Sequence, residues 1–348
     1  MNFKNTGILL ATLSLTALAA LVNAQKVDLV KNDKESKVEV KIDGKPFTSY
    51  FYPGEKILKK AVLYPVHTAK GTIITRGWPL DPRPGERVDH PHHVGIWLNY
   101  EDVNGNDYWN NSDAVDHAKR AYGTIIHTGI ASVTSGKDKG ELKVTADWVD
   151  KDGKLTLKET TTYIFSGKGD TRIIDRSTTL TAVMDEVAMP DVKDGMFAIR
   201  VARELELPST KPDIFTDASG IATKVPVMKN DGITGNYRNS NGVEGEAVWG
   251  KRAIWCNLTG KIKDENISVA MIDHPKNVGY PAYWHARGYG LFAVNPLGMK
   301  ALSDGKEALN FKLKKGESTT FRYRLVIASE HLKDAALNDF AAAYGKTE

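Results

Sequence analysis

From Asp89 to Trp109 the chain reads Asp89-His90-Pro91-His92-His93-Val94-Gly95-Ile96-Trp97-Leu98-Asn99-Tyr100-Glu101-Asp102-Val103-Asn104-Gly105-Asn106-Asp107-Tyr108-Trp109, with three of the nine histidines in four positions. Imidazole titrates nearest neutral pH and is the commonest metal ligand, so such a cluster beside aromatic and amide side chains points to a site. His90, His92 and His93 are candidates for proton transfer, with Asp89, Trp97 and Trp109 as groups that hold a substrate. In an extended chain His90 and His92 face the same side, which makes them a candidate pair for a divalent metal. Zinc, iron or copper would need further ligands from elsewhere.

A second stretch repeats the ingredients: Asp273-His274-Pro275-Lys276-Asn277, then Tyr280-Pro281-Ala282-Tyr283-Trp284-His285-Ala286-Arg287-Gly288-Tyr289-Gly290. Aromatic faces stack on sugar rings while Arg, Asn, Asp and His bind hydroxyls, the composition of a small-molecule pocket. His285 joins the acid/base candidates, and Asn277, Trp284 and Arg287 the substrate-binding ones. Tryptophans at this spacing also fill sandwich cores, a reading that stays open for Trp284. A third group, Asp194, Arg200 and Arg203 with Glu159 and Asp175, reads mainly as structural ion pairs. Arg200, on an otherwise apolar strand face, needs a partner or a ligand.

The elements that must position these residues are strands. Val38, Val40 and Ile42 alternate with charged residues up to the Asp43-Gly44 turn, and Phe47 to Tyr52 reads as the return strand. Ala61 to Val66 and Thr72 to Thr75 are short strands, and the proline-rich run from Trp78 to Glu86 is a loop that delivers the chain to His90. Alternation resumes over Gly123 to Val133, Glu141 to Val149, Leu155 to Phe165 and Ile173 to Val183. Later strands are expected over Asp194 to Arg203, Trp249 to Asn257, Ile267 to Asp273, Leu291 to Val294, around Phe311, and over Thr319 to Ala328. Residues 208–245 are polar and form a surface excursion; Leu332 to Tyr344 suits a terminal helix. The pattern predicts an all-β fold, a large antiparallel β-sandwich with a short C-terminal helix.

Residues 1–24 read as an export signal: Lys4, an apolar run from Gly7 to Val22, and small residues at Val22-Asn23-Ala24 before Gln25. The protein is therefore expected in the periplasm or secreted, with residues 25–348 as one domain. Cys256 is the only cysteine, so no internal disulfide can form. The net charge of +4 is scattered, which argues against a nucleic-acid surface, and no later apolar run of ~20 residues suggests membrane integration. Nucleotide-binding glycine motifs, a G-x-S-x-G elbow and H-E-x-x-H are all missing from the sequence.

The Asp89–Trp97 run, the strand Asp194-Gly195-Met196-Phe197-Ala198-Ile199-Arg200-Val201, and Asp273-His274-Pro275 with Asn277, Tyr283-Trp284-His285, Arg287, Tyr289-Gly290 and Asn295-Pro296 together resemble the bacterial family named PmoA, or methane oxygenase PmoA. Val94 stands where that family usually has arginine after the histidine pair. The family name implies a membrane monooxygenase subunit, which needs several apolar spans that this sequence lacks. Members resemble exported proteins of glycan-degrading bacteria, which implies a carbohydrate-related role. The strand order around Glu159 and Arg172 to Thr181 is similar to galactose-mutarotase-like supersandwich proteins. The resulting expectation is an exported enzyme using histidine acid/base chemistry on a sugar or oxidised sugar, by hydrolysis, elimination or epimerisation. Its rivals are a non-catalytic carbohydrate-binding protein that stacks sugars on Trp97, Trp109 and Trp284, and a metal-dependent oxygenase. The expected partner is a small molecule or glycan; the sequence names no cofactor beyond the possible metal at His90 and His92.

Overall fold

The computed structural model describes residues 25–227 and 229–347; the export signal expected at 1–24 lies outside the described residues. Two large antiparallel sheets dominate the described residues, beside two separate two-stranded ones. The nine-stranded sheet runs, in spatial order, Tyr283–Arg287, Leu291–Asn295, Gly195–Arg200, Ile96–Tyr100, Val62–Val66, Lys45–Phe51, Lys37–Ile42, Lys26–Asn32 and Gly136–Lys137. The eight-stranded sheet runs Asn236–Asn239, Trp255–Ile262, Glu265–Asp273, Ser318–Ala328, Thr171–Ala182, Leu155–Lys168, Lys139–Val149 and Thr124–Thr134. No described helix is long and apolar enough to cross a membrane.

One hydrophobic core is shared between the sheets. Leu98, Phe197, Ile199, Trp284 and Phe292 enter it from the nine-stranded sheet, and Trp148, Tyr163, Leu258, Met271, Phe321 and Leu325 from the other. Each of these positions follows the two-residue period of a strand, and Ile96–Tyr100, Gly195–Arg200 and Leu291–Asn295 are buried on both faces. The outer face of the eight-stranded sheet is covered at one end by the helix Asp334–Tyr344, whose Leu337 and Tyr344 pack on Trp255, Ala270, Ile272 and Val326. This is the antiparallel sandwich with a short C-terminal helix that the alternation predicts.

The first expected hairpin forms at Asp43 and Gly44, both at positive φ as a tight two-residue turn requires. Three local expectations are corrected. Thr72 to Thr75 makes only single bridges, His67 to Ile73 and Thr75 to Val201. The strand expected from Trp249 begins at Trp255, because Gly245–Val248 is a short 3-10 turn and Gly250 adopts φ +66. The polar excursion is also partly ordered: Asp213–Thr216 pairs with Ala222–Val225, and Asn236–Asn239 joins the edge of the eight-stranded sheet.

Candidate functional site

The outer face of the nine-stranded sheet carries the polar residues. Register places His285 opposite Ala293, Ala293 opposite Ala198, and Ala198 opposite Trp97, so all four share one face. The first and last are three strands apart, about 14 Å at the usual strand spacing. Arg200 and Arg287 lie in the neighbouring row, both opposite Leu291. The two sequence stretches thus meet on one surface, although only the 285–290 end of the second takes part.

The histidine run is a turn, which corrects the expectation that His90 and His92 project together from an extended chain. His90 sits at φ +44, an uncommon conformation for a non-glycine residue, and the His93 amide donates to the His90 carbonyl at 2.9 Å. Gly95 then returns the chain to the sheet at φ +58, where a Cβ would lie 2.2 Å from the Leu63 carbonyl oxygen. The result is a column of parallel rings. Tyr289 stacks on His90 with centroids 5.1 Å apart, His90 on His93 at 4.8 Å, and His93 on Trp97 at 5.1 Å.

Asp89 organises the column from beneath. One carboxylate oxygen accepts from Arg76 at 2.5 Å and from Arg200 at 2.6 Å, and the other meets His90 Nδ1 at 2.7 Å. Burial pushes the Asp89 carboxyl up, but the His90 hydrogen bond and the Arg200 and Arg76 guanidiniums outweigh it and hold it well below the usual range. An ionised carboxylate can only accept, so His90 carries a proton on Nδ1, which leaves Nε2 as the nitrogen that faces proton exchange. The rest of Arg76 is fixed by the carbonyls of Arg87, Asp89, His90 and His93.

His90 and Asp89 line a cleft of about 570 Å³. Its walls include Arg87, Trp249, Glu246, Arg287 and Tyr289, closed on one side by Leu207 to Ser209 and Lys211 to Asp213 of the polar excursion. Arg87 ties the walls together, bonding Glu206 at 2.7 Å and also Asp213. Arg287 lies over the Trp249 ring at 5.8 Å. The side chains of Glu246, Arg287 and Lys211 have no hydrogen-bonded partner among the described residues.

The other expected site residues divide. The His90 side chain is 40% exposed, whereas His92, His93 and His285 are 6, 1 and 2% exposed and Trp97 and Trp109 are buried. Of the four histidines only His90 lines the cleft, and neither buried tryptophan does. His285 Nδ1 is 3.4 Å from Asp194 without hydrogen-bond alignment, and burial, against the pull of Asp194, lowers it to about 4. Trp284 points to the opposite face, into the shared core, with Nε1 donating to the Ala253 carbonyl at 3.0 Å. Asn277 is buried away from the cleft with its amide engaged internally: it donates to Asp273 and to the Arg322 carbonyl, both at 2.7 Å, and accepts from the Arg322 amide at 2.8 Å. The third group separates into Glu159–Arg176, Asp175–Arg324 and Arg203–Glu206 pairs, which leaves Arg200 with Asp89.

The proposed metal pair does not fit. The His90 and His92 rings are 5.7 Å apart at 81°, His90 Nδ1 is engaged by Asp89, and no group of three or more His, Cys, Asp or Glu among the described residues is placed to hold an ion.

Sequence reasoning missed Lys60. Its ammonium lies 5.4 Å from the Trp97 ring centroid and donates to the His92 carbonyl at 2.8 Å, and the residue is only 5% exposed. Burial lowers it to about 7, against a weak opposing pull from Asp107. The Lys59-Lys60 pair reads as surface charge, so only the fold reveals it. Arg76, Glu246 and Trp249 were likewise unmarked by any motif.

The fold and site thus define an all-β sandwich protein with a polar, aromatic-walled cleft at a histidine–aspartate pair. The chain belongs to the family described as "Family of unknown function (DUF6807)", whose model matches residues 37–342. No curated protein sequence matches it. Among solved structures it is similar to the galactosidase domain of an alpha-galactosidase-sucrose kinase, AgaSK, at 9% identity and TM-score 0.40, over 87% of this chain and 42% of that one. The GH36 alpha-galactosidase AgaB of Geobacillus stearothermophilus matches at 9% identity and TM-score 0.34, over 86% and 40%. The Slr1438 protein of Synechocystis sp. PCC 6803 matches at 10% identity and TM-score 0.35, over 92% and 100%. The chain spans about two fifths of the length of the two galactosidase chains.

Proposed function

We propose that the protein is an exported enzyme that moves a proton on a sugar or oxidised sugar bound in the His90 cleft. The observation that carries this reading is the 2.7 Å contact between His90 Nδ1 and an Asp89 carboxylate anchored by two guanidiniums, at the edge of a 570 Å³ cleft. Asp89 fixes the tautomer and orientation of the imidazole and stabilises the imidazolium once Nε2 has taken a proton. Glu246, on the same cleft wall, is the complementary acid or base, and Arg287 and Lys211 hold substrate oxygens. Trp249 and Tyr289 supply the aromatic wall for a sugar ring. Hydrolysis, elimination and epimerisation all use such a pair.

The test is a panel of glycosides and their keto forms followed by NMR with wild type and His90→Gln. Turnover of at least one member should fall by about 10²–10⁴ in the variant, with little change in ligand affinity. Undiminished turnover in His90→Gln would refute the assignment of the base. A non-catalytic binding protein would instead show saturable binding with no product from either protein.

A further inference from the structure

Directly beneath His90, the residues packed around His93 form a second polar cluster whose hydrogen-bonding is one-sided. Arg200 Nη1 lies 3.3 Å from His93 Nδ1, and a guanidinium can only donate, so His93 accepts there and carries its proton on Nε2. That Nε2–H, the Trp97 indole Nε1–H and the Arg200 Nε–H are all buried and have no acceptor among the described residues. Both ring nitrogens of His92, whose ring centroid is 4.4 Å from that of His93, are also without partners. Native proteins pair the great majority of their buried polar atoms, and here at least three obligate donors adjoin one histidine.

Charge is one-sided in the same sense. Arg76 and Arg200 share the single carboxylate of Asp89. Lys60, held over Trp97 and bonded to the His92 carbonyl, has no carboxylate within ion-pair distance among the described residues. Asp89 is the one carboxylate among the described residues in direct ion-pair contact with this group; Asp107, Glu86 and Glu206 act on Lys60, Arg76 and Arg200 only from beyond that distance, and a buried charge without a close counter-ion is costly. About 7 Å along the same strand face as Trp97, Asn99 Oδ1 is a buried acceptor without a donor, suited to a hydroxyl.

We propose that the Lys60–His93–Trp97–Arg200 cluster is an anion subsite beneath the His90 cleft that receives the carboxylate of an acidic sugar. The proposal rests on the sugar reading of the cleft and narrows its substrate class. A carboxylate supplies only acceptors and one negative charge, matching the unpaired donors and the lone cation Lys60. The cluster lies on the His93 side of the His90 ring, away from Tyr289, and the His90–Asp89 contact is left in place.

The test measures affinities of D-glucuronate, D-galacturonate, D-glucose, D-galactose and glucose 6-phosphate by calorimetry. The Trp97 indole N–H resonance, assigned with Trp97→Phe, is followed in parallel. At least one uronate should bind tenfold or more tightly than its neutral sugar and shift that resonance. Lys60→Met, which replaces the amine by an apolar chain of similar length, should abolish the preference for the uronate over its neutral sugar. Equal affinities for uronates and neutral sugars would overturn the subsite and leave the cleft reading standing. A uronate preference that survives Lys60→Met would overturn its placement, and tighter binding of the sugar phosphate would overturn the carboxylate assignment. Failure of every sugar to bind would remove both readings.

Discussion

Lys60→Met is also a stability experiment. Moving the amine from 10.5 to about 7 corresponds to about 5 kcal/mol, at 1.36 kcal/mol per unit, for keeping it protonated in the fold. The sign follows from proton counts. Between about pH 7 and 10.5 the unfolded chain binds this proton and the folded chain does not, so Lys60 makes stability rise with pH across that window. The penalty is greatest below pH 7. Methionine carries no such penalty but loses the hydrogen bond to the His92 carbonyl, about 1–2 kcal/mol for a charged donor. The variant should therefore be more stable than wild type at pH 7 by about 2–4 kcal/mol, roughly 4–8 °C in Tm for a chain of this size. Urea unfolding of both proteins at pH 7, 8 and 9 measures this, and the advantage should shrink as pH rises. A variant less stable than wild type at pH 7, or an advantage independent of pH, would refute the assignment of Lys60 as a buried, unpaired amine.

Trp284 and Trp249 should separate packing from binding. Trp284→Ala empties a core position and should cost about 3–5 kcal/mol in denaturant unfolding. Trp249→Ala should change stability little and weaken cleft ligands about tenfold by calorimetry. Asn277→Ala should cost about 3 kcal/mol through the lost bonds to Asp273 and Arg322, with ligand affinity unchanged, since it anchors a turn in the other sheet.

The sandwich was legible because its long strands alternate cleanly: Val38, Val40 and Ile42 point inward in the sequence pattern and in the fold. Arg200 was legible for a related reason, as a charge on a strand face with no local partner. The inference failed where backbone geometry departs from a regular period. His90 at φ +44 turns the histidine run back on itself, so spacing rules for extended chain misplace His92. The Asp273 motif resembles the first one residue by residue, yet Asp273, His274 and Asn277 use their polar atoms on nearby backbone and each other. A local motif does not reveal whether its hydrogen bonds are spent internally. Lys60 and Glu246 were invisible because a buried or cleft-facing charge has the same one-letter code as a solvated one.

The hairpin that walls the cleft, Asp213–Thr216 with Ala222–Val225, belongs to neither large sheet and contributes little to their shared core. It is joined to the segment leading into the histidine turn by backbone hydrogen bonds from Gly85 and Val88 to the Thr216 and Ile214 carbonyls and from Thr216 to the Glu86 carbonyl, with the Arg87–Asp213 ion pair beside them. A change in its length would therefore act first on the segment that leads into Asp89 and His90. Rim and histidine turn are thus coupled through residues 83–88, and reshaping one means redesigning the other.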